Sequence, residues 1–157
     1  MSGAQDTDGA PFHYTPGQSL GYLVRDTYRA FTRELETRIA AEGVSIGQWY
    51  FLRVLWEEDG LTQRELSRRV GMMEPTTVTA VNAMESKGLV RRVRDEGDRR
   101  KMMVVLTDHG RRLKNRLLPS AKAVNELAAR GLSEDEVATL RRLLSRAIEN
   151  LGSRAAD

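Results

Sequence analysis

The chain has no cysteine, two histidines and four prolines in 157 residues, and only 6% of it is aromatic. Without a thiol there is no disulfide, no thiolate nucleophile and no cysteine redox chemistry. His13 and His109 lie far apart and match no metal-ligand spacing, so no metal and no cofactor are expected. There is no G-x-S-x-G elbow and no glycine-rich phosphate loop, which leaves catalysis without a visible apparatus. No catalytic residue is assigned. A small enzyme without a recognisable motif stays as the alternative from another class. No apolar run approaches the roughly 18 residues a membrane span needs. The opening MSGAQDTDGAP is small and polar, without an apolar signal core. The expectation is a cytoplasmic protein with no membrane contact.

What the sequence does have is charge, at 30% of residues. Lysine and arginine exceed aspartate and glutamate by only three, and so small a net charge identifies no partner. Its distribution is more informative. Acidic clusters fall at Glu57-Glu58-Asp59 and Glu134-Asp135-Glu136, before a turn or at a helix start, where dipole and solubility account for them. Basic clusters fall at 91–101 and 111–116. The run LVRRVRDEGDRRKMMVVLT, residues 89–107, places six basic and three acidic residues around Gly97, with apolar runs on both sides. In isolation such a hairpin is a solvated turn, so its meaning depends on what precedes it.

From Gly17 to about Ala41, Leu20, Val24, Tyr28, Phe31, Leu35 and Ile39 recur at steps of three and four, which predicts an amphipathic helix. Gly43 is its stop. Ser45 and Gln48 have capping-box spacing and open a second helix, SIGQWYFLRVLWEE, apolar almost all round and therefore central. Thr62 and Glu65 repeat the spacing and start a short helix that Gly71 breaks. Pro75 begins the next helix, which runs to Lys87 with Gly88 after it. Two short helices across a tight connection form a helix-turn-helix, and LVRRV with MMVVL forms a β-hairpin behind it. Thr107 caps a long helix to about Ala129, interrupted and kinked at Pro119. A last helix, capped by Ser133 and Glu136, carries the stripe Leu140, Leu143, Leu144, Ala147, Ile148 and Leu151.

A helix pair followed by a cationic hairpin predicts a winged helix on double-stranded DNA. In EPTTVTAVNAMESK, the spacing buries Val78, Val81 and Met84 and turns Thr76, Thr79, Ala80 and Ala83 to another face. Small side chains allow close approach to base edges, and threonines can meet thymine methyls or phosphates. Hairpin cations would reach the adjacent minor groove and backbone. The expected DNA-facing residues are Thr62, Gln63, Thr76, Thr77, Thr79, Asn82, Arg94, Asp98, Arg99, Arg100 and Lys101.

Residues 61–110 also carry "LT..EL", "EPT", "MESKGLV", "DRR" and "LTDHG", and with these motifs the chain resembles the MarR/SlyA family of bacterial transcriptional regulators. The resemblance implies a mainly α fold with a small β-hairpin wing, a winged helix-turn-helix core flanked by N- and C-terminal dimerisation helices. The expected division is a flexible segment 1–16, a single domain 17–152 and a loose end 153–157. Within the domain, about 45–106 form the DNA-binding lobe, while 17–41 and 107–151 form the dimerisation helices. The resemblance further implies a homodimer on a pseudo-palindromic operator, with Asp98 orienting Arg100 into the minor groove. SlyA-like members often carry an arginine at the position of Thr79, so base reading here would rest on threonines and DNA shape. From the residues alone, the first and last stripes could equally close an intramolecular core.

Peroxide-sensing relatives use a cysteine, which this chain lacks, and zinc-sensing ones need ligands it does not group. A small organic effector, possible in such a family as an aromatic carboxylate, is left. Trp49 and Arg53 lie four apart on one helix face. A buried guanidinium would need a carboxylate from a ligand; the alternatives are a neighbouring glutamate as partner or an arginine that snorkels to water at the helix edge. Tyr28, Arg25 and His13 are expected around the same space. The overall expectation is a repressor released by an aromatic carboxylate, the alternative being a ligand-independent DNA-binding regulator.

Overall fold

The computed structural model describes residues 15–152, so His13 and most of the two expected loose ends lie outside the described residues. Among those residues the chain forms six α-helices and three short strands. Helix α1 spans Leu20–Ile39. It starts later than the apolar periodicity predicts, because Pro16–Gln18 makes a separate 3-10 turn and the Ser19 hydroxyl accepts the Tyr22 N–H as the cap. A second 3-10 turn, Ala40–Glu42, leads to Gly43 at φ 71°, a left-handed conformation that glycine adopts without Cβ strain.

Helix α2, Ile46–Glu57, opens with the complete Ser45/Gln48 capping box and buries Trp49, Phe51, Leu52 and Leu55. Each such side chain removed from water contributes roughly 1.5–3 kcal/mol. Helices α3, Gln63–Val70, and α4, Glu74–Ser86, follow. The capping box of α3 is also complete: the Glu65 carboxylate accepts from the Thr62 N–H and hydroxyl, both at 2.8 Å. These bonds hold the Glu65 carboxyl below the usual glutamate range. Their support is therefore present near neutral pH and fades as acid protonates the group.

Strands β2, Val90–Arg94, and β3, Met102–Leu106, form the expected hairpin, with Val90 opposite Leu106 and Arg94 opposite Met102. A third strand, β1, Leu61–Thr62, pairs antiparallel with β3, giving the sheet order β1-β3-β2. Two residues cannot display an alternating pattern, so β1 is invisible in the sequence. Its pairing fastens the start of α3 to the wing.

Helix α5, Asp108–Ala128, begins at the Thr107 cap and passes through Pro119 without a break, contrary to the expected interruption. Proline removes one backbone donor, but Leu113, Leu117 and Val124 are buried on the inner face and packing outweighs that loss. Two contacts dock α5 onto the lobe. The Trp56 indole N–H donates to the Gly110 carbonyl at 2.9 Å. Gly110 itself sits so close to Leu89 that an added Cβ would lie 2.1 Å from the Leu89 carbonyl oxygen.

Helix α6, Glu134–Gly152, is capped by Ser133 and Glu136 as expected, yet none of its residues is buried. Leu140, Leu143, Leu144, Ile148 and Leu151 are all exposed. Along α1 burial falls away from Ile39, which is fully enclosed, towards Tyr28, Val24 and Leu20, which are open. The two stripes therefore do not close an intramolecular core.

Gly110→Ala should destabilise the chain by about 1–3 kcal/mol or more, because backbone rather than a flexible side chain must yield. A lowered midpoint in urea with an unchanged slope would show it; an unchanged midpoint would mean that α5 docks differently.

Candidate nucleic-acid interface

Helix α4 turns one face to the core and one outward. The inward residues are Thr77, Val81 and Met84, each fully enclosed. This corrects two expectations. Val78 is exposed rather than buried, and Thr77 is buried rather than DNA-facing. The inner stripe runs through 77, 81 and 84, so Val78 falls one residue, about 100°, around the helix. Thr77 meets its polar requirement internally by donating its hydroxyl to the Met73 carbonyl at 3.3 Å. Ala80, expected on the outer face, is half-buried against the core.

The outer face carries Thr76, Val78, Thr79, Asn82, Ala83 and Ser86. Thr79 donates its hydroxyl back to Pro75 at 3.2 Å. That leaves its methyl and remaining lone pairs for the outside, suited to a thymine methyl or a base donor. The Thr62 hydroxyl is used on both sides by its own cap, since it donates to Glu65 and accepts the Glu65 N–H. It has no hydrogen left for a phosphate.

The wing turn is held by its own residues. Asp95 N–H donates to the Lys101 carbonyl, Lys101 N–H to the Asp98 carbonyl, and Asp98 N–H to the Asp95 carboxylate. The Asp98 carboxylate accepts the Arg100 backbone N–H at 3.1 Å and its Nε at 3.2 Å. Arg100 thereby lowers the Asp98 carboxyl below the usual aspartate range. The Arg100 side chain is 92% exposed, so this carboxylate aims a guanidinium at open solvent. Arg94 donates to the Arg99 carbonyl at 2.8 Å, while Arg99 and Lys101 stand exposed beside it. An arginine steered outward from a narrow hairpin has the form needed to enter a minor groove.

One residue in this region escaped the sequence reading. Arg92, on β2, reaches across to Gln63 on α3 and to Asn82 and Glu85 on α4. In the sequence it is one cation among six, and only the register of β2 against the helices singles it out.

Further along, α1, α2, α3 and α5 border an open cleft of about 400 Å³ lined by Phe31, Trp49, Tyr50, Arg53, Arg69 and Asn125, among others. Trp49 and Arg53 do meet there, with the guanidinium carbon 5.7 Å from the indole centre. Arg53 is not a buried cation, however. Its side chain is 44% exposed, and its partner is Glu57, one helical turn on, at 3.6 Å. The position lies at the edge of α2, so in this structure Arg53 matches the structural alternatives kept open from the sequence, a neighbouring glutamate and a side chain that reaches water. Tyr28 is exposed and does not line the cleft; it lies near Tyr50, whose phenol is pushed up to about 12 by burial first and by Tyr28 second. Arg25 points elsewhere: it pairs with Asp26 and stacks on Tyr22. Among the described residues no cluster of three metal-ligating side chains occurs, and no helix is long and apolar enough to cross a membrane.

A helix pair with small residues outward, a third strand bracing the hairpin and an arginine aimed from its tip define a DNA-binding winged helix. The profile of the MarR family matches residues 42–101. TtmR, a transcriptional regulator of Methylorubrum extorquens, is 35% identical over 98 residues, 62% of this chain. That match spans about half the length of TtmR. The transcriptional repressor NicR of Pseudomonas putida is 27% identical over 153 residues, covering 96% of this chain and 97% of NicR. Among solved structures, the regulator PcaV from Streptomyces coelicolor, in complex with its natural ligand, superposes with a TM-score of 0.73. It is 29% identical, over 86% of this chain and 95% of PcaV. The chain belongs to the MarR family of transcriptional regulators.

The inversion of Thr77 and Val78 is directly testable. Thr77→Val should cost about 1 kcal/mol of stability through the lost hydrogen bond and leave DNA affinity unchanged. Thr79→Ala should do the reverse. Urea melts paired with gel shifts would separate the two, and a DNA defect in Thr77→Val would mean that α4 presents a different face.

Proposed function

We propose that the chain is a homodimeric, sequence-specific repressor of the cytoplasm that binds a pseudo-palindromic DNA operator and is released by a small aromatic carboxylate. The observation that carries the DNA part is the Asp98–Arg100 contact, which aims a cation into solvent before any DNA is present. Thr76, Thr79, Asn82 and Gln63 then face the major groove, while Arg94, Arg99 and Lys101 meet phosphates. Dimerisation is supported by α6, a helix with no fully buried residue that carries five exposed leucine and isoleucine side chains on one stripe.

The effector part rests on the cleft between α1, α2, α3 and α5. Its volume falls at the lower end of the roughly 300–1,000 Å³ range of small-molecule sites. Trp49 lines it, and Arg53 offers a cation whose paired carboxylate, Glu57, is solvent-exposed and therefore easily displaced. The full-length likeness to the repressor NicR and the ligand-bound state of PcaV support the same reading. A ligand-independent regulator is the second reading, favoured by that very Glu57 pairing. Enzymatic turnover has no support in the residues described.

Arg100→Ala should weaken specific binding at least about tenfold, and Asp98→Ala should match it even though a negative charge is removed. Lys101→Ala should instead weaken specific and random duplex alike and lower the salt slope by about one. Fluorescence anisotropy across a salt series would show this. Tighter binding by Asp98→Ala, as charge counting alone implies, would overturn the orienting role.

For the effector, a benzoate-class acid should raise the melting temperature and weaken DNA binding, each tenfold change corresponding to about 1.4 kcal/mol of coupling. Arg53→Ala should abolish the response and retain DNA affinity. A folded variant that responds normally would assign Arg53 to its ion pair with Glu57 alone.

A further inference from the structure

The chemistry of Arg92 decides more than the position of β2. Its Nε and Nη2 donate to the Gln63 side-chain oxygen at 3.2 and 2.7 Å, and Nη2 also donates to the Asn82 side-chain oxygen at 2.7 Å. Nη1 donates to the Glu85 carboxylate, which also accepts the Arg92 backbone N–H at 3.1 Å. The Arg92 side chain is only 23% exposed; its bonds to Gln63 are half-buried, while those to Asn82 and Glu85 lie at the exposed edge, and all are charge-assisted on the guanidinium side. A guanidinium has donors and no acceptor. Any amide that bonds to it must therefore turn its carbonyl oxygen inward and its NH₂ group away.

We propose that Arg92 is a specificity-determining positioning residue: by filling both lone pairs of the Gln63 carbonyl and one of the Asn82 carbonyl, it draws both oxygens inward and turns the two NH₂ groups out as the donors that meet DNA. The inference rests on the reading of α4 as the helix that enters the major groove. Free asparagine and glutamine pair with adenine, accepting from N6 through the carbonyl and donating to N7 through the NH₂. That pairing needs both ends of the amide on the same edge; Arg92 fills the Gln63 carbonyl with two bonds and holds the Asn82 carbonyl towards itself with one. The outward NH₂ instead complements guanine, whose N7 and O6 are both acceptors. This supplies a way to read guanine without the arginine that SlyA-like members often carry at the position of Thr79. Glu85 keeps the guanidinium neutralised and in register, and so belongs to the same device.

The test is selection of binding sites from a random-sequence duplex library by the wild-type chain and by two variants. Asn82→Ala removes an exposed side chain and should fold. It should lose one guanine preference in each half-site and bind the selected duplex about tenfold more weakly. Arg92→Met frees the amide and should shift that position towards adenine. A structural role alone predicts something different: Arg92→Met would weaken all sequences together with the preferences unchanged, and that outcome overturns the proposal. Should Arg92→Met fail to fold, Asn82→Ala decides. Loss of a guanine preference supports the proposal, whereas loss of an adenine preference, or no change, overturns it. Enrichment of no sequence by the wild-type chain would overturn the DNA reading itself, and this inference with it.

Discussion

Helix α2 is apolar on nearly every side, and the rest of the molecule is arranged to cover it. Trp49, Phe51, Leu52 and Leu55 are buried in one core cluster with Leu66, Val81, Met84, Val104, Leu113 and Leu117. Those residues come from the DNA-binding lobe and from the framework helix alike, so no hydrophobic seam separates the two. The Trp56–Gly110 hydrogen bond and the close approach of Gly110 to Leu89 lock the start of α5 onto the lobe at the same place. A movement of α1 or α5 is therefore passed to α4 through packed side chains rather than through a flexible linker. That is the physical condition under which a ligand between α1, α2 and α5 could alter DNA affinity.

Charge on the DNA-facing side is organised by carboxylates as much as by cations. Asp98 aims Arg100 outward, and Glu85 keeps Arg92 inward. The two arginines share a hairpin and a chemistry, yet one side chain is 92% exposed and the other 23%. Counting charges could not have separated them. On the proposed reading, long-range attraction to phosphate would belong to the exposed group and the geometry of recognition to the half-buried one.

How far the sequence could be read depended on the kind of signal involved. Capping boxes at Ser45 and Thr62 and the apolar spacing of α2 and α6 are local, and they appear where the residues place them. The β2–β3 hairpin was legible for the same reason. Strand β1 was not, since two residues carry no period and its partner lies some 40 residues away. The swap of Thr77 and Val78 came from assigning the inner face by hydrophobicity, when the i, i+4, i+7 stripe from Thr77 decided it. Pro119 misled because its cost is local and the packing that outweighs it is tertiary. Arg53 was placed on the right surface of the cleft, but its exposure depends on how α5 stands relative to α2, which no pattern in α2 encodes. Arg92 needed three elements brought together before its role existed at all.

The remaining constraint is the uncovered apolar surface. Helix α6 has no fully buried residue, and the N-terminal half of α1 is open, so a single chain leaves an apolar stripe that water should not be left to cover. On the proposed function a second copy of the chain would cover it and at the same time would present two identical α4 helices about one turn of DNA apart. Sedimentation equilibrium of the chain alone and with its selected duplex measures this most directly. The account predicts a dimer at micromolar concentration and two chains per duplex. A monomer that binds one chain per site would contradict it.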